Sequence, residues 1–527
     1  MHSQAILRLL QGRAAESRLA KCWWSSRGYA TRDVYTYVTS MYATSMPTSE
    51  FFGRKRELAA LEAELRSAGA SGAGRLLAIR GRRQVGKSRL AEHFAERSGV
   101  AYGVVAGMKG TPVEVQVRRA AETLRSSTRP LPAIEAGMAL PPSNWYDLLS
   151  RLQFVLDDDP AILIIDEFPW ANDTSPGLDG LLQSLWDLTF TRRPVLVLLI
   201  GSDEAMMDRL FAHDRPLFGR LDGNLVVEPF NPAETAQALG GPRSAVEVFD
   251  TQLVTGGFPE LVAHARKFRS VGALVEDALS RPHTLLADIA QINLAGELAD
   301  GANARLVLEA VGADEIGVVN FSRIASDLGG GIAAKTAVSR ATDILADTKR
   351  ILAVDIPAGD KGSRLKRYRV ADPYLRFWFR FVEPQLRNIE VGRSDLALTA
   401  FSGGWSTWRG KAIEPIVRDG VLRLAPHLDT PFDSIESVGG WWDRRGEHEY
   451  DIVGSARGST PVAIGSIKWR ERTTFDVNDL AKLAEARAVI PKAGAAGLLA
   501  VAPRGAASGV GADLVLDAAD LLSAWQL

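Results

Sequence analysis

Short unbroken apolar runs, each ending on polar or glycine residues, punctuate the first half of the chain. "LLAI" runs into Arg80 and Gly81, "AILII" into Asp166 and Glu167, and "VLVLLI" into Gly201, Ser202 and Asp203. Runs of this length and composition predict strands buried on both faces, as in a parallel sheet, with their polar ends opening on a crevice. After the first run the spacing changes to Leu90, Ala91 and Phe94, which predicts a helix. Residues 233–300 are Ala/Leu-rich at helical spacing, as in "AETAQALGG" and "VGALVEDALS". From residue 301 three short amphipathic segments separated by Gly-containing turns follow, the third predicted over Lys335–Ala346. Strand-like "ILAVDIP" and "RLKRYRVADP" come next, joined by a turn at "AGDKGS". That order of helices and strands predicts a winged helix. Further on, "WWDRRGEHEYDIVGS" and "PVAIGSIKWRER" predict a strand, turn, strand unit.

The segment between the first strand and its helix carries the chemistry. Gly81, Arg82, Arg83, Gln84, Val85, Gly86, Lys87 and Ser88 spell GxxxxGKS, followed by Arg89. Glycines let backbone N–H groups converge on phosphate oxygens, the helix turns its positive end toward them, Lys87 adds a fixed charge, and Ser88 can hold Mg²⁺. Asp166 at the end of "AILIID" would organise Mg²⁺, and Glu167 is placed to polarise an attacking water. Ser202 is a candidate to hydrogen-bond that water or the γ-phosphate. It could equally cap the helix that follows, and the two roles are compatible. A glutamate beside the metal-organising aspartate suits water as nucleophile, and no guanine-reading NKxD pattern occurs, so ATP hydrolysis is the expected reaction.

The 527 residues suffice for about three or four domains. A net charge of -1 means that nucleic-acid contact must come from local basic patches. The single cysteine, Cys22, excludes an internal disulfide framework, and the seven histidines show no metal-ligand spacing. No run of about 18 apolar residues occurs, so no membrane span is expected and the protein is placed in the cytoplasm. Residues 1–45 are basic, Ser-rich and poor in acids. A disordered leader, or a start placed upstream of Met41 or Met46, is favoured over an organelle transit peptide.

"FFGRKRELAALEAEL", "GRRQVGKS", "IIDEFPW", "LLIGSDEAMM", "PLFGRLDGNLVVEPF" and "TGGFPELV" occur in that order. In this the chain resembles archaeal and bacterial ATPases of the AAA+/STAND group, from about Phe51 to its end. The resemblance implies an α/β fold with a P-loop core over 46–232, a helical lid over 233–300, a winged helix over 301–375, a linker helix over 376–400 and a PD-(D/E)XK nuclease-like domain over 401–527. It implies that Gly53 and Arg54 lie near the adenine and that Gly257 and Pro259 face the nucleotide from the lid. Arg220 would be a γ-phosphate sensor, or a finger acting in a second copy of the chain, which makes a homo-oligomer a candidate assembly.

Two regions extend the reading beyond the nucleotide. Lys335, Thr336, Ser339 and Arg340 lie where a recognition helix would meet a major groove, and Lys361, Arg364, Lys366, Arg367 and Arg369 make the wing basic. Contact with double-stranded DNA is narrowly favoured over a protein–protein spacer role. The aromatic run from Tyr374 to Phe381 fits a buried interdomain helix better than a base-stacking platform. In the last domain, Glu414 on a helix, Asp451 near the end of one strand and Lys468 near the end of the next resemble a nuclease core. The acid expected two positions before the lysine is Ser466, a neutral and weak Mg²⁺ ligand. Glu414 and Glu449 are candidates to compensate, but a binding or scaffold role is favoured over cleavage.

Overall fold

The computed structural model describes residues 50–298, 302–360 and 365–527. The basic leader, Cys22, Lys361 and Arg364 lie outside these residues. Residues 52–109 and 113–527 form one compact unit. The expected strands are β1 (Arg75–Arg80), β3 (Ala161–Asp166) and β4 (Val195–Gly201). They are joined by two that were not foreseen, β2 (Ala101–Ala106) and β5 (Gly223–Val226). "AYGVVA" is too rich in small residues, and "GNLV" too short, to stand out as apolar runs. All five are parallel in the order β2-β3-β4-β1-β5. The central β4 is buried along its whole length, which is why its sequence is apolar without alternation.

Five helices, from Pro232–Leu239 to Leu285–Glu297, fill the segment expected to be the lid. Beyond them come a helix (Ala302–Gly312), the short strand β6 (Val319–Asn320) and helices Phe321–Asp327 and Gly331–Asp343. Strands β7 (Leu352–Asp355) and β8 (Arg367–Val370) then pair antiparallel, with β8 in the middle of a three-stranded sheet. The third helix starts four residues before the expected Lys335. Gly329, Gly330 and Gly331 all have positive φ, so the turn ends there and Ile332 begins the helical face.

Pro373 opens a helix whose continuation buries Phe377, Trp378, Phe379 and Phe381 to 2% exposure or less. Phe377 and Phe381 pack edge-on against Trp408, while Trp378 Nε1 donates to the carbonyl of Ala287 at 2.9 Å. These rings have no faces left for bases. The helix begins before the 376 boundary because Asp372 and Pro373 form a strong start signal, cap followed by proline at the first turn.

Residues 394–527 build helices Ser394–Ala412 and Glu414–Leu424 against a second five-stranded sheet. Its strands are β9 (Ser437–Trp442), β10 (Glu449–Ala456), β11 (Thr460–Ile467), β12 (Gly497–Val501) and β13 (Leu514–Leu516), in the order β13-β12-β11-β10-β9. The β9-β10-β11 part is antiparallel and β11-β12-β13 is parallel. Among the described residues no helix is long and apolar enough to cross a membrane.

Candidate functional site

The glycine-rich segment sits at the carboxyl end of β1. Gly81 has φ 142°, and a Cβ there would lie 2.2 Å from the carbonyl oxygen of Val227, so only glycine lets the loop leave the sheet along this path. Gly86 then starts the helix Lys87–Ser98, whose buried face is Leu90, Ala91, Phe94 and Ala95. That helix aims its free N–H groups at the loop.

Lys87 is only 4% exposed. Its ammonium donates to the carbonyls of Gly81 (2.8 Å) and Arg82 (2.7 Å), so it is folded back over its own loop. Burial pulls its pKa down to about 8, against the attraction of Glu167 and Asp166. The unfolded chain holds this proton more tightly than the folded one. Stability should therefore rise as pH increases from about 8 to 10.5, where folded Lys87 has shed the charge that burial penalises. Thermal unfolding of nucleotide-free protein across that window should show a gain on the order of 3 kcal/mol that Lys87→Met lacks.

β3 and β4 bring the other groups. The Ser88 hydroxyl hydrogen-bonds Asp166, whose pKa is raised by burial. Glu167 has a left-handed φ of 46° and follows Asp166, whose Oδ1 accepts its backbone N–H at 2.9 Å. Ser202 Oγ donates to Glu167 Oε1 at 2.5 Å, while Asp203, not Ser202, caps the next helix by accepting from Met206 N. Glu167 Oε2 is buried without a partner. Here hard oxygen donors, a half-satisfied carboxylate, a lysine and a helix N-terminus converge. They fit a divalent metal with a phosphate chain: Ser88 and Asp166 would hold Mg²⁺, which supplies charge neutralisation, and Glu167 would face a water.

The flanking residues take other places. Arg54 is 3% exposed and brackets the loop from behind, donating to Glu228 O (2.6 Å) and Val85 O (2.8 Å) over the Phe230 ring. Gly53 N donates to Gln237 Oε1 at 3.2 Å. Pro259 opens a lid helix beside Gly86, close enough that a Cβ there would meet its Cγ at 3.7 Å. Gln84 accepts from Asn293 on the last lid helix at 2.9 Å, and Arg82 reaches Asp372. Arg89 faces outward toward Glu96.

Arg220 requires correction. It is paired bidentately with Asp187 and lies two residues before Asp222, whose Oδ2 accepts from Leu76 N at the amino end of β1. That is the end of β1 opposite the loop, so within its own chain Arg220 is held by Asp187 away from the phosphate end, and only the role across copies stays open to it. "LFGR" carries no sign of the sheet edge on which it will lie.

The region 394–527 also departs from expectation. Asp451 stands near the start of β10, not its end, because the 443–448 segment is the turn. Antiparallel pairing still sets it beside Ser466, whose hydroxyl donates to Asp451 Oδ2 at 3.2 Å, along with Ile467 N at 2.7 Å. Lys468 follows β11 directly and donates its N–H to Val501 O at 2.8 Å. Glu414 and Glu449 are not free to compensate. Lys411 bridges both, Arg418 binds Glu414 at 2.7 Å, and Arg367 binds Glu449 at 2.8 Å. Among the described residues Lys411, Arg418 and Arg367 thus neutralise these two acids, and Arg367 is paired with Glu449. Burial raises the pKa of Glu414, offset in part by Lys411.

Lys335, Arg340 and Lys366 are exposed. One group of possible metal ligands arises among the described residues: Asp443, Glu447 and His448, with ligand atoms within 4.8 Å of one another. The hairpin turn creates it, through Glu447 N on Asp443 Oδ1 and Asp443 N on His448 O, so histidine spacing alone does not reveal it.

Residues 378–481 match the family model DUF234, described as archaea bacterial proteins of unknown function. An uncharacterized protein of Methanocaldococcus jannaschii is 22% identical over 439 residues, 82% of this chain and 90% of the relative. Among solved structures, the chain is similar to the Walker-type ATPase of Pyrococcus abyssi (18% identity, 62% of this chain and 96% of that one, TM-score 0.42). It is also similar to the Aeropyrum pernix ORC2 protein in its ADPNP–ADP complexes (16% identity, 69% and 98%, TM-score 0.42).

Proposed function

We propose that this chain is an ATP-binding and ATP-hydrolysing switch of the AAA+/STAND type, in which nucleotide state sets the placement of a winged helix (residues 302–370) and a nuclease-like scaffold. The supporting observation is the convergence of Lys87, Ser88 with Asp166, and Glu167 with Ser202 at the carboxyl ends of the three interior strands of a parallel sheet, with Glu167 Oε2 left unpaired. The backbone of the loop and Lys87 grip the phosphates, Ser88 and Asp166 hold Mg²⁺, and Glu167 takes the proton of the attacking water. Titrating Mg-ATP into the full chain should release heat and be followed by phosphate release. A folded chain that gives neither sinks this reading.

The C-terminal region acts as a scaffold on this reading, since its acids are already neutralised by Lys411, Arg418 and Arg367. Duplex DNA is the partner favoured by the exposed face carrying Lys335, Thr336, Ser339 and Arg340. Binding measured by anisotropy should fall steeply with salt, and Lys335→Ala with Arg340→Ala together should flatten the log–log slope by about 2. No affinity at low salt would favour the alternative, a signalling switch that acts on protein partners.

A further inference from the structure

The segment from Arg367 to Asp372 touches the phosphate loop at one end and the acid cluster of the C-terminal region at the other. We propose that it is a lever that reports occupancy of the loop to that cluster. The proposal rests on the nucleotide-binding reading above.

At the loop end, Asp372 is 6% exposed and accepts the Arg82 guanidinium on Oδ2. Its other oxygen accepts from Tyr374 N (2.8 Å) and Leu375 N (3.2 Å), so the carboxylate is fixed to the helix that begins at Pro373. The lid closes on the same group: a Cβ on Gly256 would lie 2.9 Å from Asp372 Oδ1, and Phe258 stacks under Arg82 at 5.6 Å. Arg82 is also the residue whose carbonyl holds the Lys87 ammonium. A phosphate chain in the loop therefore acts on Arg82 twice. It draws Lys87 away from the backbone oxygen, and it offers the guanidinium a second anion in competition with Asp372.

At the far end, Arg367 donates to Glu449 Oε2 at 2.8 Å and lies 4.3 Å over the Trp442 ring. The Trp442 indole donates to Leu365 O at 3.0 Å. Arg367 and Arg369, with Asp355, line a small cavity together with Lys411, Glu414, Arg418 and Glu449, so β7 and β8 cover the acid cluster. Between the two ends runs β8, hydrogen-bonded to β6 on one side and β7 on the other. At about 3.3 Å per residue the segment from Arg367 to Asp372 spans roughly 17 Å, its strand part braced by β6 and β7 and Ala371 N bound to Ile351 O, so a shift at Asp372 reaches Arg367.

The test is hydrogen–deuterium exchange on the full chain, with and without Mg²⁺ and a non-hydrolysable ATP analogue, alongside calorimetric affinity on the same samples. In wild type, nucleotide should change exchange in peptides covering 437–451 by about threefold or more. Asp372→Asn keeps the helix cap but removes the charge. It should bind the analogue within about threefold of wild type and lose most of the remote change. Arg82→Gln, a change in the loop itself and so measured at saturating analogue, should also lose most of the remote change, while Arg82→Lys should keep part of it. Binding with no change at 437–451 in wild type overturns the lever but leaves the nucleotide site standing. So does a full response in both Asp372→Asn and Arg82→Gln, which would assign transmission to the lid instead. Absence of binding in wild type removes both proposals together.

Discussion

Glu167→Gln lowers ATP turnover about 10²–10⁴-fold while nucleotide stays bound, if Glu167 is the base that the site requires. The amide keeps the size of the side chain and can still accept the Ser202 hydroxyl, which in the native protein binds Oε1 at 2.5 Å. What it cannot do is take up a proton. Oε2, buried and without a partner, is the atom whose basicity is removed. Because neither the loop nor the Ser88–Asp166 bond is touched, affinity for Mg-ATP should persist. Single-turnover hydrolysis, with chromatography of the nucleotide retained on the protein, reads both quantities. Turnover equal to wild type would take the proton-accepting role away from this carboxylate.

Lys87→Ala should weaken Mg-ATP binding about 100-fold or more, roughly 3 kcal/mol, since charge-assisted bonds to phosphate are lost from a site that shields them from water. Calorimetry checks this directly. In the nucleotide-free chain the lysine is a buried charge whose pKa is pulled down to about 8, so its removal relieves a burial cost while leaving two carbonyls without their donor. The variant should consequently stay folded, and its thermal midpoint separates lost affinity from lost structure. Retained affinity within about threefold would mean that the loop grips something other than a phosphate chain.

The loop was legible because its chemistry is contiguous: eight residues between an apolar run and a helical one state both the turn and the charge. Asp166 and Ser202 were legible for a related reason, each being the first polar side chain after a run of buried strand residues, with Glu167 directly behind Asp166. What the sequence hid are partners chosen by packing. Arg82 and Asp372 are 290 positions apart, and Gln84 and Asn293 are 209 apart. Asp372 could be read locally as a helix start before Pro373, yet nothing near it names an arginine in the phosphate loop. Arg54 shows the converse. The sequence placed it near the adenine, whereas its burial as a brace for Val85 and Glu228 depends on Phe230 and on Glu234, which accepts its backbone N–H. At Glu414 and Glu449 the acids were visible, while the cations that satisfy them come from two successive helices, through Lys411 and Arg418, and from a strand far upstream, through Arg367.

Arg409, on the helix that follows the aromatic linker, is 2% exposed and forms two bonds with Asp250 of the lid, at 2.5 and 2.8 Å. Next to this pair Phe249 sets its ring edge-on to Trp469 and Trp525. A buried guanidinium stripped of the carboxylate it is paired with is expensive, on the order of 3–5 kcal/mol. The two halves of this molecule are therefore poor material for domain shuffling. A C-terminal half transplanted onto a foreign N-terminal half would carry an orphan cation, and any lineage that recombined them would have to change both sides of the joint at once.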